Sequence, residues 1–488
     1  MAAARASPGA PSARGARHGA SCSPRTTSGL REVDARSPRP VRSAARTSRS
    51  ATRRLSTERG PLSDPGRNRS GEWPGRVMPQ GAPRRDRDHM QAVRAAHAFD
   101  GARFLPGGAT VLHESGRIVG VVTGAADLPD GVEVTEHAGT VLPGLVDGHT
   151  HLVADGTIGG LERAGALSDA EIDTVIASSL RAHAVAGVTT VRDLGDRGFR
   201  TLASRERPGL PRVVASGPPL TIPGGHCHFL GGVVDGDLRA VVAEHAGRGV
   251  DVVKVMASGG FATPGTDQLG TQFTVAELTG LVDAAHDAGL PVVAHAHSLA
   301  AMQNALAAGV DGIEHFTGLT SQGPRIDDDL LDEVARQGVY VGLTMGNDRS
   351  LHALMPEPPP ALAALMARLG VGSFDELYAS RMRDLSRLRE HGVAVVSGVD
   401  SGMAPPKQHG NVWRTVGEMV ESGYPVAEAL AAATSVAAEA CGLAAETGRL
   451  AEGYAADLLV VDGDLAEDPS LLGRPRHVLV RGTPVDLA

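Results

Sequence analysis

Two histidines stand one residue apart in Asp147-Gly-His149-Thr-His151. In an extended backbone, residues i and i+2 point to the same side, so both imidazoles can reach one cation. Side chains of the same kind recur downstream: His295 and His297 in Ala294-His-Ala-His297, His315 after Ile313-Glu314, and Asp400 closing Ser397-Gly-Val-Asp400. Any one of them reads most simply as a core or surface residue. Four separate segments that each end in imidazole or carboxylate make a set, and these are the donors that zinc and its neighbours accept. The chemistry in view is therefore that of a metal centre, and no Ser or Cys sits in a recognisable nucleophile elbow.

Lys254 narrows that chemistry. Lysine occurs only at 254 and 407, so almost every other cation of the chain is Arg. Lys254 lies in Val252-Val-Lys-Val-Met256, an apolar run in which a charged amine is penalised by desolvation. Arginine would stay protonated there, whereas a buried lysine can lose its proton and act as a nucleophile. It can then capture CO2 as a carbamate whose two oxygens bridge two cations; the other reading is a neutral or ion-paired structural lysine. His226 and His228, in Gly224-Gly-His-Cys-His228, together with His297 and His409, are candidates for contacting a substrate carboxylate or an oxyanion, or else for supporting roles.

Such residues can share a site only if strand ends carry them to one place. Buried-strand signals run from Leu142 to Val146, Val188 to Asp193, Arg212 to Ala215, Val250 to Met256, Pro291 to Ala294, Gly312 to His315, Tyr340 to Thr344 and Ala394 to Val399. Helical patterns alternate with them, as in Glu171 to Ala186, Ala276 to Ala288, Leu299 to Ala308 and Asp328 to Gln337, with Gly289, Gly309 and Gly338 as stops. The alternation predicts an α/β fold, a (β/α)8 TIM barrel over residues 142–444, whose chemistry belongs at the C-terminal ends of its strands. Short strands at both ends, such as Arg117-Ile-Val-Gly-Val-Val122 and Asp457-Leu-Leu-Val-Val-Asp462, predict a small composite β-sandwich domain made from residues 91–141 and 445–488.

Residues 1–90 belong to another regime. They hold 19 Arg against 7 acidic residues and are rich in Ala, Ser, Pro and Gly, which predicts a disordered extension. It reads as a dispensable or misassigned start, a targeting peptide or a nucleic-acid-binding arm, in that order. The remainder carries a net charge of −21, which argues against nucleic acid as its partner. Cys22, Cys227 and Cys441 have neither redox nor finger spacing, and no apolar run is long enough for a membrane span, so a cytoplasmic protein without a membrane partner is expected. A homo-oligomer is left open.

Taken in order, Leu142-Pro-Gly-Leu-Val-Asp-Gly-His-Thr-His151, Val188-Thr-Thr-Val-Arg-Asp193, Lys254-Val-Met-Ala-Ser-Gly-Gly260, Val293-Ala-His-Ala-His297, Ile313-Glu-His315, Ser397-Gly-Val-Asp400 and the tail Gly448 to Val461 resemble the amidohydrolase superfamily. The lysine followed by Ser-Gly-Gly and the Ala-His-Ala-His strand are most similar to its imidazolonepropionase-related group, which includes Xaa-Pro dipeptidases. The resemblance implies two divalent cations, zinc first among the expected metals. One would be held by His149, His151, the Lys254 carbamate and Asp400, the other by that carbamate, His295 and His315. It further implies hydrolysis of a C–N bond in a small amide, namely a dipeptide, an N-acyl amino acid or a cyclic amide, with Asp400 moving the proton. Gly224-Gly-His226-Cys-His228 departs from the group's pattern of one histidine followed by a small residue. Two rival readings stand beside this one: a mononuclear hydrolase or deaminase with an unmodified lysine, and an inactive barrel retained as a binding protein.

Overall fold

Seven strands pair in parallel, β1 (Leu145–Thr150), β2 (Val188–Asp193), β3 (Arg212–Ala215), β4 (Val253–Met256), β5 (Val292–Ser298), β6 (Gly312–Thr320) and β7 (Tyr340–Gly342), and β1, β4, β5 and β6 carry candidate residues. They belong to a computed structural model that describes residues 90–488 except 125–127, 356, 358–362, 364–365 and 368–372. The expected extension therefore falls, but for Met90, outside the described residues, as does much of the connection after β7.

Every residue of β1, β2, β4 and β5 is buried. That is the mark of parallel strands covered on both faces, and it explains their unbroken Val-, Ala- and Thr-rich runs. Pairing joins β1 to β2 to β3 in one sheet and β4 to β5 to β6 to β7 in another. The intervening helices form as expected. Asp169–Val185 and Val275–Asp287 each begin in a capping box, Ser168 with Glu171 and Thr274 with Glu277. Leu299–Ala308 and Asp328–Gln337 end on the left-handed Gly309 and Gly338.

Among the described residues, seven of the eight expected strands form and the eighth departs. Ala394 to Val399 makes no regular strand among the described residues. The segment instead threads between β7 and β1 by single bonds: Val396 N–H donates to Val341 O (2.9 Å), Gly148 N–H to Ser397 O (2.8 Å) and Asp400 N–H to His149 O (2.8 Å). Its local chemistry opposes a ladder, because Gly398 sits where any Cβ would press on His149, and Asp400 turns left-handed at φ 64°. Between β3 and β4 the link falls beyond the end of β3, where Leu220 N–H donates to Lys254 O and Met256 N–H to Leu220 O, both 2.8 Å.

The two ends of the described chain meet in one eight-stranded sheet. Its strand Glu133–Pro143 pairs parallel with Gln91–Phe99 and antiparallel with Leu458–Val461. Hydrogen bonding unites strands of both ends in this single sheet. Val93, Val111, Ile118, Val141, Leu458, Val460 and Leu479 form an apolar cluster on it. Among the described residues, no helix is long and apolar enough to cross a membrane.

Candidate metal centre

The ends of β1, β5 and β6, with Asp400, converge in two groups. His149, His151 and Asp400 bring one ligand atom each within 4.8 Å of one another, and so do His295, His297 and His315. His149 Nε2 lies 3.5 Å and His151 Nε2 3.2 Å from Asp400 Oδ1. The second group differs from the expected set by including His297, whose ring stacks on His315 with centroids 4.5 Å apart.

Hydrogen bonds on the far side of each ring decide which nitrogen faces inward. His149 Nδ1–H donates to Glu314 Oε2 (2.8 Å) and His151 Nδ1–H to the Gly195 carbonyl (3.1 Å), so both leave Nε2 as a lone pair. The Thr317 hydroxyl donates to His297 O (3.0 Å) and so accepts from His297 Nδ1–H (2.9 Å), again freeing Nε2. His295 is reversed, with Nε2–H donating to Gly259 O (3.1 Å) and Nδ1 free. His315 Nδ1 pairs with Thr344 Oγ1 at 3.0 Å. Burial favours the neutral rings: it drops His149 to about 4 and His297 to about 3, and it holds His295 and His315 well below the ordinary imidazole value. Neutral imidazole is the form that ligates metal.

Lys254 is 1% exposed, and its Nζ has no hydrogen-bond partner among the described residues. Burial lowers the amine to about 8, against the opposing pull of Glu314 and Asp400. On β4, Lys254 lies opposite Val293 of β5, two residues before His295. Asp400 is held below the usual carboxylate range: burial would raise it, but Lys407, His151 and His149 outweigh that.

The remaining expected site residues divide. His226 packs on His295, centroids 4.5 Å apart, with Nδ1 paired to Thr263 Oγ1 at 2.8 Å. Gly260 permits this approach, since a Cβ there would overlap the His226 ring. His228 stays outside both groups on an exposed turn, its Nδ1–H donating to Gly225 O at 2.9 Å. His409 faces the protein with both ring nitrogens: its Nε2–H donates to Ala154 O (2.8 Å) and its Nδ1 meets His183 Nε2 (3.2 Å).

Several functional supports escaped the sequence. Glu314, 2% exposed, bonds His149 with one oxygen and Arg192 Nη2 with the other (3.1 Å). Arg192 also donates to Gly148 O and Ala440 O. His149 and Arg192, with burial opposing them, hold the Glu314 carboxylate down at about 2. Asp147 accepts from His149 N–H, Val399 N–H and Ser401 Oγ–H, tying the end of β1 to the Asp400 segment. The available signal was a charge inside an apolar strand, Arg192 in Thr189-Thr-Val-Arg and Glu314 in Gly312-Ile-Glu. Glu314→Gln is expected to destabilise the protein by roughly 3–5 kcal/mol, because it leaves Arg192 buried without its anion. Urea unfolding of the two proteins measures this.

Backbone strain collects at the same ends. His315 (φ 68°), Phe316 (φ 47°), Thr344 (φ 51°) and Asp400 (φ 64°) are all left-handed non-glycine residues. Each costs of order 1–3 kcal/mol and persists only where its surroundings over-determine it. On β6 the kink coincides with a register shift against β5 past Ala296.

A family model for the amidohydrolase family matches residues 140–485. The chain belongs to that family. Among relatives of this amidohydrolase, ochratoxinase of Aspergillus niger is 25% identical over 410 residues, covering 75% of this chain and 79% of its own. Imidazolonepropionase of Ectopseudomonas mendocina is 27% identical, covering 76% and 90%. A solved Xaa-Pro dipeptidase with bound methionine in its active site superposes with a TM-score of 0.70 at 25% identity, covering 81% of this chain and all of that one. The amidohydrolase is thus an enzyme acting on carbon–nitrogen bonds, and its mixed α/β fold is that of its solved relatives. Its donor set fits divalent cations on its own chemistry: imidazoles in two groups, one carboxylate, and a buried unpartnered amine on β4.

Proposed function

We propose that this amidohydrolase holds two divalent cations, zinc first among those its donors suit, and hydrolyses the amide bond of a dipeptide or N-acyl amino acid. His149, His151 and Asp400 would hold one cation and His295 and His315 the other, with Lys254 joining both as a carbamate. The observation that carries the reading is the unpartnered, fully buried Lys254 amine on the strand beside the one that carries His295. An amine in that position has no structural bond to make. Its neutral form can attack CO2, forming an N–C bond and releasing one proton to solvent. We further propose that the two parallel sheets are arcs of one (β/α)8 barrel over residues 142–444, with 91–141 and 445–488 as its composite β domain.

When bound, the cations supply Lewis acidity and bring the pKa of water toward neutrality. The chain's own residues do the rest. Asp400, ionised and fixed against both imidazoles of β1, takes a proton from water at Oδ1 and returns it to the leaving nitrogen. Glu314 and Arg192 hold the His149 ring so that Nε2 stays aimed inward. His226 packs on His295, its Nδ1 paired with Thr263 and its Nε2 against Cys227 Sγ at 3.5 Å, and so would support the His295 ring. The Xaa-Pro dipeptidase and ochratoxinase relatives support a small amide substrate over a macromolecular one.

Prolonged dialysis against a chelator is expected to abolish hydrolysis of a dipeptide panel, and Zn, Mn or Co to restore it. Metal analysis of the restored enzyme should give two ions per chain. Full activity at one ion per chain would replace this reading with the mononuclear one.

A further inference from the structure

Resting on the two-cation reading, we propose that Lys407 and Arg381 are positioning residues, buried cations that clamp the left-handed strand ends and thereby fix Asp400 for one metal and His315 for the other. Lys407 Nζ donates to Thr344 O and to Val399 O, both at 2.8 Å, and stands 3.8 Å from Asp400 Oδ2. Two N–H groups thus meet carbonyls, while the charge faces the carboxylate. Arg381 reaches in from the helix Phe374–Glu390 and is 7% exposed. Its Nη1 donates to Phe316 O (3.0 Å) and Asp384 Oδ2 (3.1 Å), and its Nη2 donates to His315 O.

The choice of carbonyls is the telling part. His315, Phe316 and Thr344 are themselves left-handed, and Val399 immediately precedes the left-handed Asp400. Past Gly342, β7 makes no further pairs with β6, so the Thr344 carbonyl lies beyond the ladder and needs another donor. Charge-assisted bonds to such carbonyls are about twice as strong as neutral ones. They therefore suit a kink that must hold still while its side chain binds a metal. A compact ammonium also fits where two carbonyls and a carboxylate converge, whereas a planar guanidinium would not. This accounts for one of the chain's two lysines in a sequence that otherwise makes its cations from Arg.

The test is a Co2+ titration of the metal-free full-length protein, followed by visible absorption and calorimetry, beside thermal unfolding of the metal-free forms. Lys407→Met is expected to weaken one of the two binding events by roughly 10–100-fold and leave the other near the wild-type value. Arg381→Met is expected to weaken the other event. Lys407→Gln, which keeps two N–H donors without the charge, should recover part of the loss. Wild-type affinity at both events in Lys407→Met overturns the clamp. So does equal weakening of both events alongside early unfolding of the metal-free form, which would mark a general structural role. Should Lys407→Met not fold, Lys407→Gln decides alone: one weakened event supports the clamp, and none overturns it. A wild-type protein that takes up no Co2+ would overturn the two-cation reading as well, whereas two ions bound alike by wild type and variants sinks the clamp only.

Discussion

Lys254→Met is expected to lower kcat/KM for a dipeptide by at least about 100-fold, the upper end of what displaced metal-site partners cost, while leaving the metal-free protein as stable as wild type or more so. The two halves of this result have opposite causes. On the proposed reading, hydrolysis would fail because methionine cannot form a carbamate. Stability holds because a buried amine without a hydrogen-bond partner is replaced by an apolar chain of similar length, a change that removes a desolvation cost. Activity should return in part when acetate or formate is added to Lys254→Ala, since a small carboxylate can enter the space and supply two oxygens. Steady-state kinetics with and without the added acid, and urea unfolding of the metal-free forms, measure both halves. Undiminished activity in Lys254→Met would show that the lysine is structural and would end the bridging assignment.

Asp400→Asn should cost about 10²–10⁴-fold in kcat, the range of a lost general acid and base. The replacement keeps the size of the side chain and removes both its basicity and its charge. KM for the same substrate is expected to move far less, since the role proposed for Asp400 is toward water and the leaving nitrogen. The pair is read by steady-state kinetics over a substrate range. A variant that lost only affinity and kept kcat would move the proton-transfer role to another residue.

Much of this arrangement was legible from spacing. Alternating buried strands and amphipathic helices fixed the parallel strands to within a few residues, because fully buried strands must be continuously apolar and helices must present one apolar face. The histidine pair of β1 and the odd lysine of β4 stood out because each contradicts its surroundings. What stayed hidden depends on contacts between distant segments. Nothing near Glu314 in sequence says that it meets both His149 and Arg192. Likewise, His409 looked like a loop histidine with free nitrogens until the fold set it against Ala154 and His183. The Ala394 to Val399 segment carries β-like residues, yet Gly398 and the turn at Asp400 spend its backbone on aiming a carboxylate instead of on a ladder. Local propensity was overruled there by the needs of the site.

The sheet that unites the two ends also sets the order in which the molecule can be completed. Strand Glu133–Pro143 leads through Gly144 directly into β1, and Gly144 N–H donates to Asp457 O at 2.9 Å. During synthesis the first histidine pair leaves the ribosome while the strand that flanks it still lacks its partner of more than three hundred residues later. The growing chain must therefore carry an open, apolar sheet edge for most of its elongation, a state that invites chaperone capture or pairing with a neighbour. A product ending shortly after Cys441 would contain every chemistry-bearing side chain and still lack the last staves of the scaffold beneath them.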